Sequence, residues 1–297
     1  MTDKIFAHKR IGILGKGGSG KSTITVVLSK ALRNVGYQVC VLDADSTNAG
    51  IHAALGFEQP PVSLIDYFGG PVFSGGKVSC PVDDPTALPE AVVDLKKIPE
   101  RFYASDGNGL FLFQLGKIAD KGPGAGCDGP ISKITRDLNI QGIGDQPVTV
   151  IDVKAGLEDS ARGVVTSMDW IMTVVDPTVA SIQIAADIKT LISQIQAGKV
   201  PPTEYLERPE LIERVKQLYK EARIKTSFAL LNKIRDKHTE DYVSKKLQEK
   251  GLTPIGVIHE DASISLSWLE GKPLEGTRAN REMTAAIKKL EQMVHEL

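Results

Sequence analysis

The chain has 297 residues, of which 41% are hydrophobic and 25% are charged, so it can bury a full core and intrinsic disorder is not expected. Its formal net charge of -1 creates no overall field that would attract nucleic acid or an anionic membrane. No segment has the roughly 18 apolar residues of a spanning helix, and residues 1–10 lack a signal peptide's apolar segment, so we expect a cytoplasmic protein without a membrane anchor.

Apolar segments alternate with helix-like segments along most of the chain. The pattern begins with a strand over residues 10–14, a helix over 21–34 and a strand over 38–42. Further apolar segments cover residues 110–115, 148–151, 170–175, 227–231 and 254–258. This order predicts parallel strands joined by helical crossovers, and strands this apolar are buried on both faces. The sequence therefore predicts an α/β fold with a doubly wound, mostly parallel sheet and helices on both faces.

Two segments interrupt this alternation within what we expect to be a single domain over residues 1–297. Residues 56–109 contain seven prolines between positions 60 and 99. We interpret this segment as an ordered surface insertion, with a mobile connection as the alternative. Residues 196–225 form a second excursion, with an amphipathic helix predicted over 209–222. Its charges alternate in sign, which is typical of a solvated helix face and not of a nucleic-acid site.

A phosphate-binding pattern lies between the first strand and the first helix. Residues 15–22 match G-x-x-x-x-G-K-[ST], and glycines there let backbone N–H groups converge on phosphate oxygens at a helix N-terminus. Lys21 is expected to reach the terminal phosphates and Ser22 a magnesium ion. A flexible glycine-rich turn is the alternative, but it would require neither side chain. The candidate nucleotide ligands are Gly15, Lys16, Gly17, Gly18, Ser19, Gly20, Lys21, Ser22 and Thr23.

Polar residues follow three of the predicted strands. Asp43 and Asp45 come after the strand over 38–42, where a carboxylate can orient a magnesium-bound or attacking water. Asp45 can alternatively cap a helix. Asp152 follows the strand over 148–151, at the edge where open α/β sheets bind ligands, or it merely ends that strand. Asn232 ends the strand over 227–231, and its amide can pair with a purine edge.

The loop with its second lysine, Lys16, resembles the deviant phosphate loop of the MinD/ParA, ArsA and nitrogenase iron protein group of ATPases. The resemblance implies that Lys16 crosses a homodimer interface to the partner's nucleotide and thereby couples ATP binding to dimerisation. It also implies that Asp45 positions the hydrolytic water, which makes Lys16, Lys21 and Asp45 the catalytic candidates. Asp43 becomes a supporting acid near magnesium or the lysines.

The same resemblance assigns roles further along the chain. Asp152 would hold magnesium through water, and the amide of Gly156 would sense the γ-phosphate. Asn232 would contact adenine. The loop containing His259 and Asp261 occupies the place of the group's second base-side loop, although proline is usual at the position of His259.

The resemblance covers residues 9–290 and is closest to the CooC-type carbon monoxide dehydrogenase maturation ATPases. Residues 43–56, 116–127 and 152–163 carry it. It implies an ATP-driven dimer that assists the maturation or remodelling of the metal centre of a client metalloenzyme. In that family a Cys-x-Cys pair in the middle passage binds a metal ion between subunits.

This chain has only Cys127 in that passage, followed by Asp128. Cys127 is therefore either a ligand with a metal or redox role at the dimer interface or a buried thiol of no special chemistry, and Asp128 could supplement it. Cys40 is expected in the core, and the sequence assigns no role to Cys80.

Two other functions use the same scaffold. A positioning ATPase of the MinD/ParA type would act on membrane or DNA, but the predicted C-terminal helix over residues 278–297 patterns as a helix docked on the domain, and we expect no nucleic-acid partner. An ATP-dependent reductase related to the nitrogenase iron protein would need a second cluster cysteine, and residues 152–163 contain none.

Overall fold

A computed structural model describes residues 4–117, 127–156 and 162–295. The strands in these ranges are β1 Lys9–Gly15, β2 Gln38–Asp43, β3 Val92–Asp94, β4 Ala104–Ser105, β5 Leu110–Gln114, β6 Asn139–Gln141, β7 Pro147–Asp152, β8 Trp170–Val175, β9 Thr226–Ile234 and β10 Pro254–His259. The α-helices are α1 Lys21–Asn34, α2 Ile51–Leu55, α3 Leu64–Tyr67, α4 Gly129–Asp137, α5 Val179–Gln196, α6 Pro209–Lys220, α7 Lys237–Glu249, α8 Ala262–Glu270 and α9 Thr277–His295.

The central sheet has the strand order β10-β9-β8-β1-β7-β2-β5-β4. Every neighbouring pair in it is parallel except β4 with β5. The chain leaves β1 in both directions, first towards β2 and later towards β8, which is the winding of a doubly wound sheet. The predicted fold class is confirmed, and most predicted strands differ from the observed ones by one or two residues at an end.

Helices cover both faces of the sheet, which explains the continuous apolar strands. All six residues of β8 are buried. On one face, α1 and α9 pack against the sheet around residues such as Ile24, Leu28, Met283 and Ile287. On the other face the core includes Ile134, Ile188 and Val215 from α4, α5 and α6. Burial on two faces removes the polar alternation of a one-sided sheet.

The segment over residues 56–109 is ordered by its packing, and it does more than cover the surface. Its strand β4 extends the main sheet, and β3 pairs with β6 in a separate two-stranded parallel sheet. Its apolar side chains enter the core on the α4 side of the sheet, namely Leu64, Ile65, Val78, Leu88, Val93, Ile98 and Phe102. The interpretation as a surface insertion was therefore incomplete, because prolines favoured turns without preventing burial.

The two amphipathic helices of the C-terminal half also dock on the domain. Helix α6 ends two residues before the predicted end and buries Leu211, Val215 and Tyr219. Helix α9 packs against β10 and α1. Residues 296–297 of the predicted C-terminal helix lie outside the described residues. Within the described ranges, no helix is both long and apolar enough to cross a membrane.

Candidate functional site

The phosphate-binding loop connects β1 to α1 at the centre of the sheet. Gly15, Gly18 and Gly20 have φ values of 147°, 80° and 96°, which L side chains rarely adopt. A Cβ on Gly15 would lie 2.6 Å from the carbonyl oxygen of Val174, and one on Gly20 would lie 2.2 Å from Nδ2 of Asn232. Glycine is therefore required at both positions, and the N-terminus of α1 faces the space above the loop.

A cavity of about 450 Å³ opens above this loop. It is lined by the loop and the start of α1, together with Asp45, Thr47, Asn48, Ala155, Lys233 and Trp268. A larger cavity of about 910 Å³ lies at the opposite end of β1, where Lys9 and Arg10 line it. We assign the nucleotide to the smaller cavity, because the loop and the carboxyl ends of the strands meet there.

Lys21 and Ser22 line this cavity, and the fully buried Asp152 lies beside Ser22. Ser22 Oγ donates to Asp152 Oδ2 at 2.6 Å, and Thr25 Oγ1 donates to Asp152 Oδ1 at 3.0 Å. Asp152 is thus held by hydrogen bonds beneath the loop and does more than end a strand. Burial raises its pKa to about 6, which the hydrogen bond from Ser22 opposes. Burial also lowers the pKa of Lys21, while Asp152 and Asp45 act in the opposite direction.

These groups fit a magnesium ion. A serine hydroxyl and a buried carboxylate offer the oxygen ligands that Mg²⁺ prefers beside nucleotide phosphates. Asn48 Nδ2 donates to Ser22 Oγ at 2.6 Å and so fixes the hydroxyl from a second side. The oxygen atoms of Ser22 and Asp152 would hold the ion, directly or through water.

Asp43 forms an ion pair with a lysine that was not predicted from the sequence to be part of the site. Lys117 Nζ lies 2.7 Å from Asp43 Oδ2 and donates to the backbone carbonyl of Asp45 at 2.6 Å. Burial raises the pKa of Asp43 to about 7, although Lys117 opposes the rise. Asp43 therefore pairs with Lys117, a lysine outside the phosphate loop, whereas the resemblance placed it near magnesium or the lysines of that loop. Lys117 belonged to a passage that carried the family resemblance, which was the available signal.

Asp45 lies in the loop between β2 and α2, at the edge of the cavity. Its Oδ1 accepts from the backbone N–H of Thr47 at 2.9 Å and from Thr47 Oγ1 at 2.6 Å. The alternative that Asp45 caps a helix is wrong, because α2 begins at Ile51 and Gly50 precedes it. The turn holds Asp45 where it lines the cavity.

Lys16 does not line the cavity above its own loop. Its Nζ lies 3.5 Å from Oδ2 of Asp176, at the carboxyl end of β8, and one third of its side chain is exposed. Gly156, after β7, has a φ of 95°, and its N–H lies 3.4 Å from the carbonyl oxygen of Gly15. Its neighbour Ala155 lines the cavity. Leu157 and Glu158, which also carried the resemblance, lie outside the described residues.

The three residues expected near the adenine base, Asn232, His259 and Asp261, have different surroundings. Asn232 is 4% exposed, and its Nδ2 donates to the carbonyl of Ser19 at 2.8 Å, so it supports the loop from beneath. His259 Nδ1 lies 2.7 Å from Glu282 Oε1. Asp261 caps α8 by accepting from the N–H of Ser263 at 2.9 Å. None of these three side chains lines the cavity, so the structure does not bring Asn232, His259 or Asp261 to the place predicted for an adenine contact.

Trp268 of α8 reaches the cavity instead, and sequence reasoning missed it. Its Nε1 donates to Thr23 Oγ1 at 2.9 Å, across 245 positions of the chain. Its ring packs against Gly50, where an added Cβ would meet the ring at 2.7 Å. An aromatic ring beside a phosphate loop offers a flat surface to a nucleobase. No local pattern identifies it, because the contact depends on the docking of a distant helix.

The three cysteines lie in different environments. Cys40 is buried in β2 as predicted, and burial raises its pKa to about 12. Cys127 is exposed, so the alternative of a buried thiol is wrong for it. Asp128 does not supplement Cys127, because its carboxylate pairs with Lys154 and accepts from Ser46 Oγ at 2.6 Å. No cluster of three or more potential metal-ligating side chains occurs within the described parts of the chain.

Comparison with known proteins identifies the family that this sequence matches. Residues 13–274 match the family model described as the CobQ/CobB/MinD/ParA nucleotide binding domain. An uncharacterized ATP-binding protein of Methanocaldococcus jannaschii is 33% identical over 184 residues, which cover 61% of this chain and 72% of the relative. The carbon monoxide dehydrogenase accessory protein CooC of Rhodospirillum rubrum is 32% identical over 186 residues, covering 61% of this chain and 68% of CooC.

A solved structure shares the fold over nearly the whole chain. It is that of the septum site-determining protein MinD complexed with Mg-ADP, from Pyrococcus horikoshii OT3. The two chains superpose with a TM-score of 0.61 at 16% sequence identity, over 96% of this chain and 97% of the other. This similarity concerns the fold.

Proposed function

Because the chain belongs to the CobQ/CobB/MinD/ParA family and is an ATPase that binds ATP with Mg²⁺, we propose that it is a dimerisation switch for a metalloenzyme. In this proposal ATP binding joins two copies of the chain, and hydrolysis to ADP and phosphate separates them. The dimer assists the maturation or remodelling of the metal centre of a client metalloenzyme. The cycle operates in the cytoplasm, where ATP and Mg²⁺ are supplied together.

The orientation of Lys16 is the observation that carries the switch proposal. Lys21 already lines the cavity above the loop, whereas Lys16 Nζ lies beside Asp176 at the outer edge of the site. A lysine inside a phosphate loop that does not face its own cavity is available to a second nucleotide. A partner subunit docked on this edge would bring such a nucleotide within reach.

The proposed hydrolysis divides the work among residues already described. Lys21 binds the terminal phosphates, and Ser22 with Asp152 holds the magnesium ion, which when bound neutralises phosphate charge. Asp45 orients the attacking water from the edge of the cavity. Gly156, whose N–H lies 3.4 Å from the carbonyl oxygen of Gly15 here, turns that N–H to the γ-phosphate when nucleotide binds. The transition state gains its stabilisation from preorganised charges and N–H groups.

The proposed client rests on the similarity to CooC, an accessory protein of carbon monoxide dehydrogenase by name. The exposed Cys127 supports a metal-linked role, because a thiol at the surface can contact a metal ion at an interface. A role in positioning at a membrane is less well supported, because Met283, Ile287 and Leu290 of α9 are buried against the domain. These side chains are not available to insert into lipid.

The switch is tested by two lysine variants. Lys21→Ala should abolish nucleotide binding, whereas Lys16→Ala should bind ATP normally but fail to dimerise and lose most turnover. Nucleotide binding is measured by calorimetry, and dimerisation by analytical ultracentrifugation with and without ATP. The matched control is Lys199→Ala, which removes an exposed lysine from the loop after α5. Dimerisation of the Lys16 variant with ATP would disprove the proposed role of Lys16.

An Asp45→Ala variant tests the proposed action on a client metalloenzyme. Asp45→Ala spares the phosphate loop and removes the water-orienting carboxylate, so we expect an ATP-bound dimer that hydrolyses slowly. Its effect on metal insertion into a purified apo-metalloenzyme is the direct assay. Rapid hydrolysis by the variant would assign the water to another residue.

A further inference from the structure

Two cysteines that are distant in the sequence approach the same glycine. Cys127 Sγ accepts from the backbone N–H of Gly129 at 3.4 Å. Cys80 packs against the same residue, where a Cβ on Gly129 would lie 2.4 Å from Cys80 Sγ. The absence of a side chain at Gly129 thus makes room for the Cys80 thiol. Burial raises the pKa of Cys80, and the neighbouring Cys127 adds to the rise, as expected for two thiols in electrostatic range.

The segment carrying Cys80 is fastened to α4. Lys133 Nζ donates to Ser79 Oγ at 2.8 Å and lies 2.9 Å from Asp84 Oδ2. The Lys133 side chain is almost fully buried, whereas about a third of the Asp84 side chain is exposed. These hydrogen bonds hold the segment of Cys80 beside Gly129. The position of Cys80 therefore does not require any loop to close. A ligand held in place in this way loses little conformational entropy when it binds an ion.

Asp128, the residue directly after Cys127, contacts both loops that border the nucleotide cavity. Asp128 accepts from Ser46, in the loop that carries Asp45, and pairs with Lys154, in the loop that carries Gly156. Asp128 is itself buried. A movement of either loop therefore acts on the residue directly after Cys127.

We propose that Cys80 and Cys127 of one subunit together bind a soft metal ion, and that nucleotide binding alters the affinity of this dithiol site through Asp128. Thiolates select soft ions such as Cu⁺, Cd²⁺ or Zn²⁺ over Mg²⁺, so the site does not compete for the ion at Ser22. Two subunits would present four thiolates, which is the ligand number of a closed tetrahedral site. The link to nucleotide rests on the proposed function, whereas metal binding by a single subunit does not.

Proton release gives the site a measurable signature. Each thiol gives its proton to solvent when its sulfur binds the metal. Two thiols therefore make the apparent affinity fall by about 100-fold per pH unit below their pKa values, and a single thiol by about tenfold. The pH dependence counts the thiolates independently of the absorbance.

The test is a titration of the nucleotide-free protein with Cd²⁺, followed by sulfur-to-metal charge-transfer absorbance. The wild type should bind one ion per chain through two thiolates. Cys80→Ser and Cys127→Ser should each halve the absorbance, lower the affinity by more than roughly tenfold and give the single-thiol pH dependence. Cys40→Ala is the matched control, because its thiol is buried in β2, and it should titrate like the wild type. Circular dichroism verifies that each variant is folded.

Wild-type affinity, absorbance and pH dependence in both Cys80→Ser and Cys80→Ala would overturn the dithiol site. The nucleotide link is tested by repeating the titration with a non-hydrolysable ATP analogue. The affinity of the wild type should change by more than about threefold, and Asp128→Asn should remove that change. An unchanged affinity in the wild type would refute the link. Ultracentrifugation of the same samples reports dimerisation separately, so failure of the switch is distinguished from failure of the metal site.

Discussion

Replacement of Gly20 by alanine tests how the phosphate loop is supported. The added Cβ would lie 2.2 Å from Asn232 Nδ2, which no pair of non-bonded atoms tolerates. Asn232 must therefore move and give up its 2.8 Å hydrogen bond to the carbonyl of Ser19. Because Asn232 is 4% exposed, water cannot replace the lost partner.

The magnitude follows from two terms. A left-handed backbone costs a non-glycine residue about 1–2 kcal/mol. A buried amide left without a partner costs about 1–3 kcal/mol more. Gly20→Ala should therefore lose about 2–5 kcal/mol of unfolding free energy, which corresponds to a fall in Tm of several degrees.

Gly18 provides the matched control within the same loop. Its φ of 80° is also left-handed, but an added Cβ meets nothing within 4 Å. Gly18→Ala should therefore cost only the backbone term, about 1–2 kcal/mol. Thermal unfolding measures the stability difference between the two variants, and calorimetry measures their ATP affinities.

A double-mutant cycle isolates the contact with Asn232. In an Asn232→Ala background the side chain that Gly20→Ala displaces is absent, so the additional cost of Gly20→Ala should fall to that of Gly18→Ala. Equal destabilisation by the two glycine variants in the wild-type background would refute the reasoning.

Three further predictions concern other parts of the molecule. ATP binding should change the tryptophan fluorescence of the wild type, and Trp268→Phe should remove this change. If the variant responds to ATP as strongly as the wild type, the indole of Trp268 does not lie near the nucleotide. Asp176→Asn should free Lys16 and strengthen ATP-dependent dimerisation by up to about fivefold per subunit, because a partly exposed ion pair contributes at most about 1 kcal/mol; ultracentrifugation showing weaker dimerisation would contradict this. Burial alone would raise the pKa of Asp84. Hydrogen bonds from the hydroxyl groups of Thr86 and Ser79 and from Lys133 nevertheless hold this pKa well below its usual range. Asp84→Asn should therefore lower Tm at neutral pH, and the difference should shrink as the pH falls below about 4, because the stabilisation is lost as the carboxylate protonates; a Tm difference independent of pH would exclude the ionic contribution.

The parts of the molecule that sequence predicted well are those determined by local pattern. Helix α1 has the predicted bounds, and β8 does too, because an apolar run flanked by turn residues marks a buried strand. The phosphate loop is continuous in the chain, so its glycines and Lys21 could be identified together. The exposed position of Cys127 was not determined by any such pattern.

The contacts that the sequence could not predict are between distant residues. Trp268 meets Thr23 only after α8 has docked, and Cys80 meets Gly129 only after the segment over 56–109 has folded onto α4. Both contacts depend on the register of packed elements, which is a property of the whole core. His259 and Asp261 were placed by resemblance near the base, but their nearest polar partners are Glu282 and Ser263.

The central position of β1 also has a consequence for biosynthesis. Its sheet neighbours β7 and β8 leave the ribosome long after it does, and Trp268 follows Thr23 by 245 positions. At about 5–20 residues per second, translation takes roughly 12–50 s to supply that residue. Until then the nascent chain carries a complete phosphate loop without the strands and helix that hold it in place. We therefore expect ATP to bind more tightly, and to stabilise the fold more, once translation has passed α8.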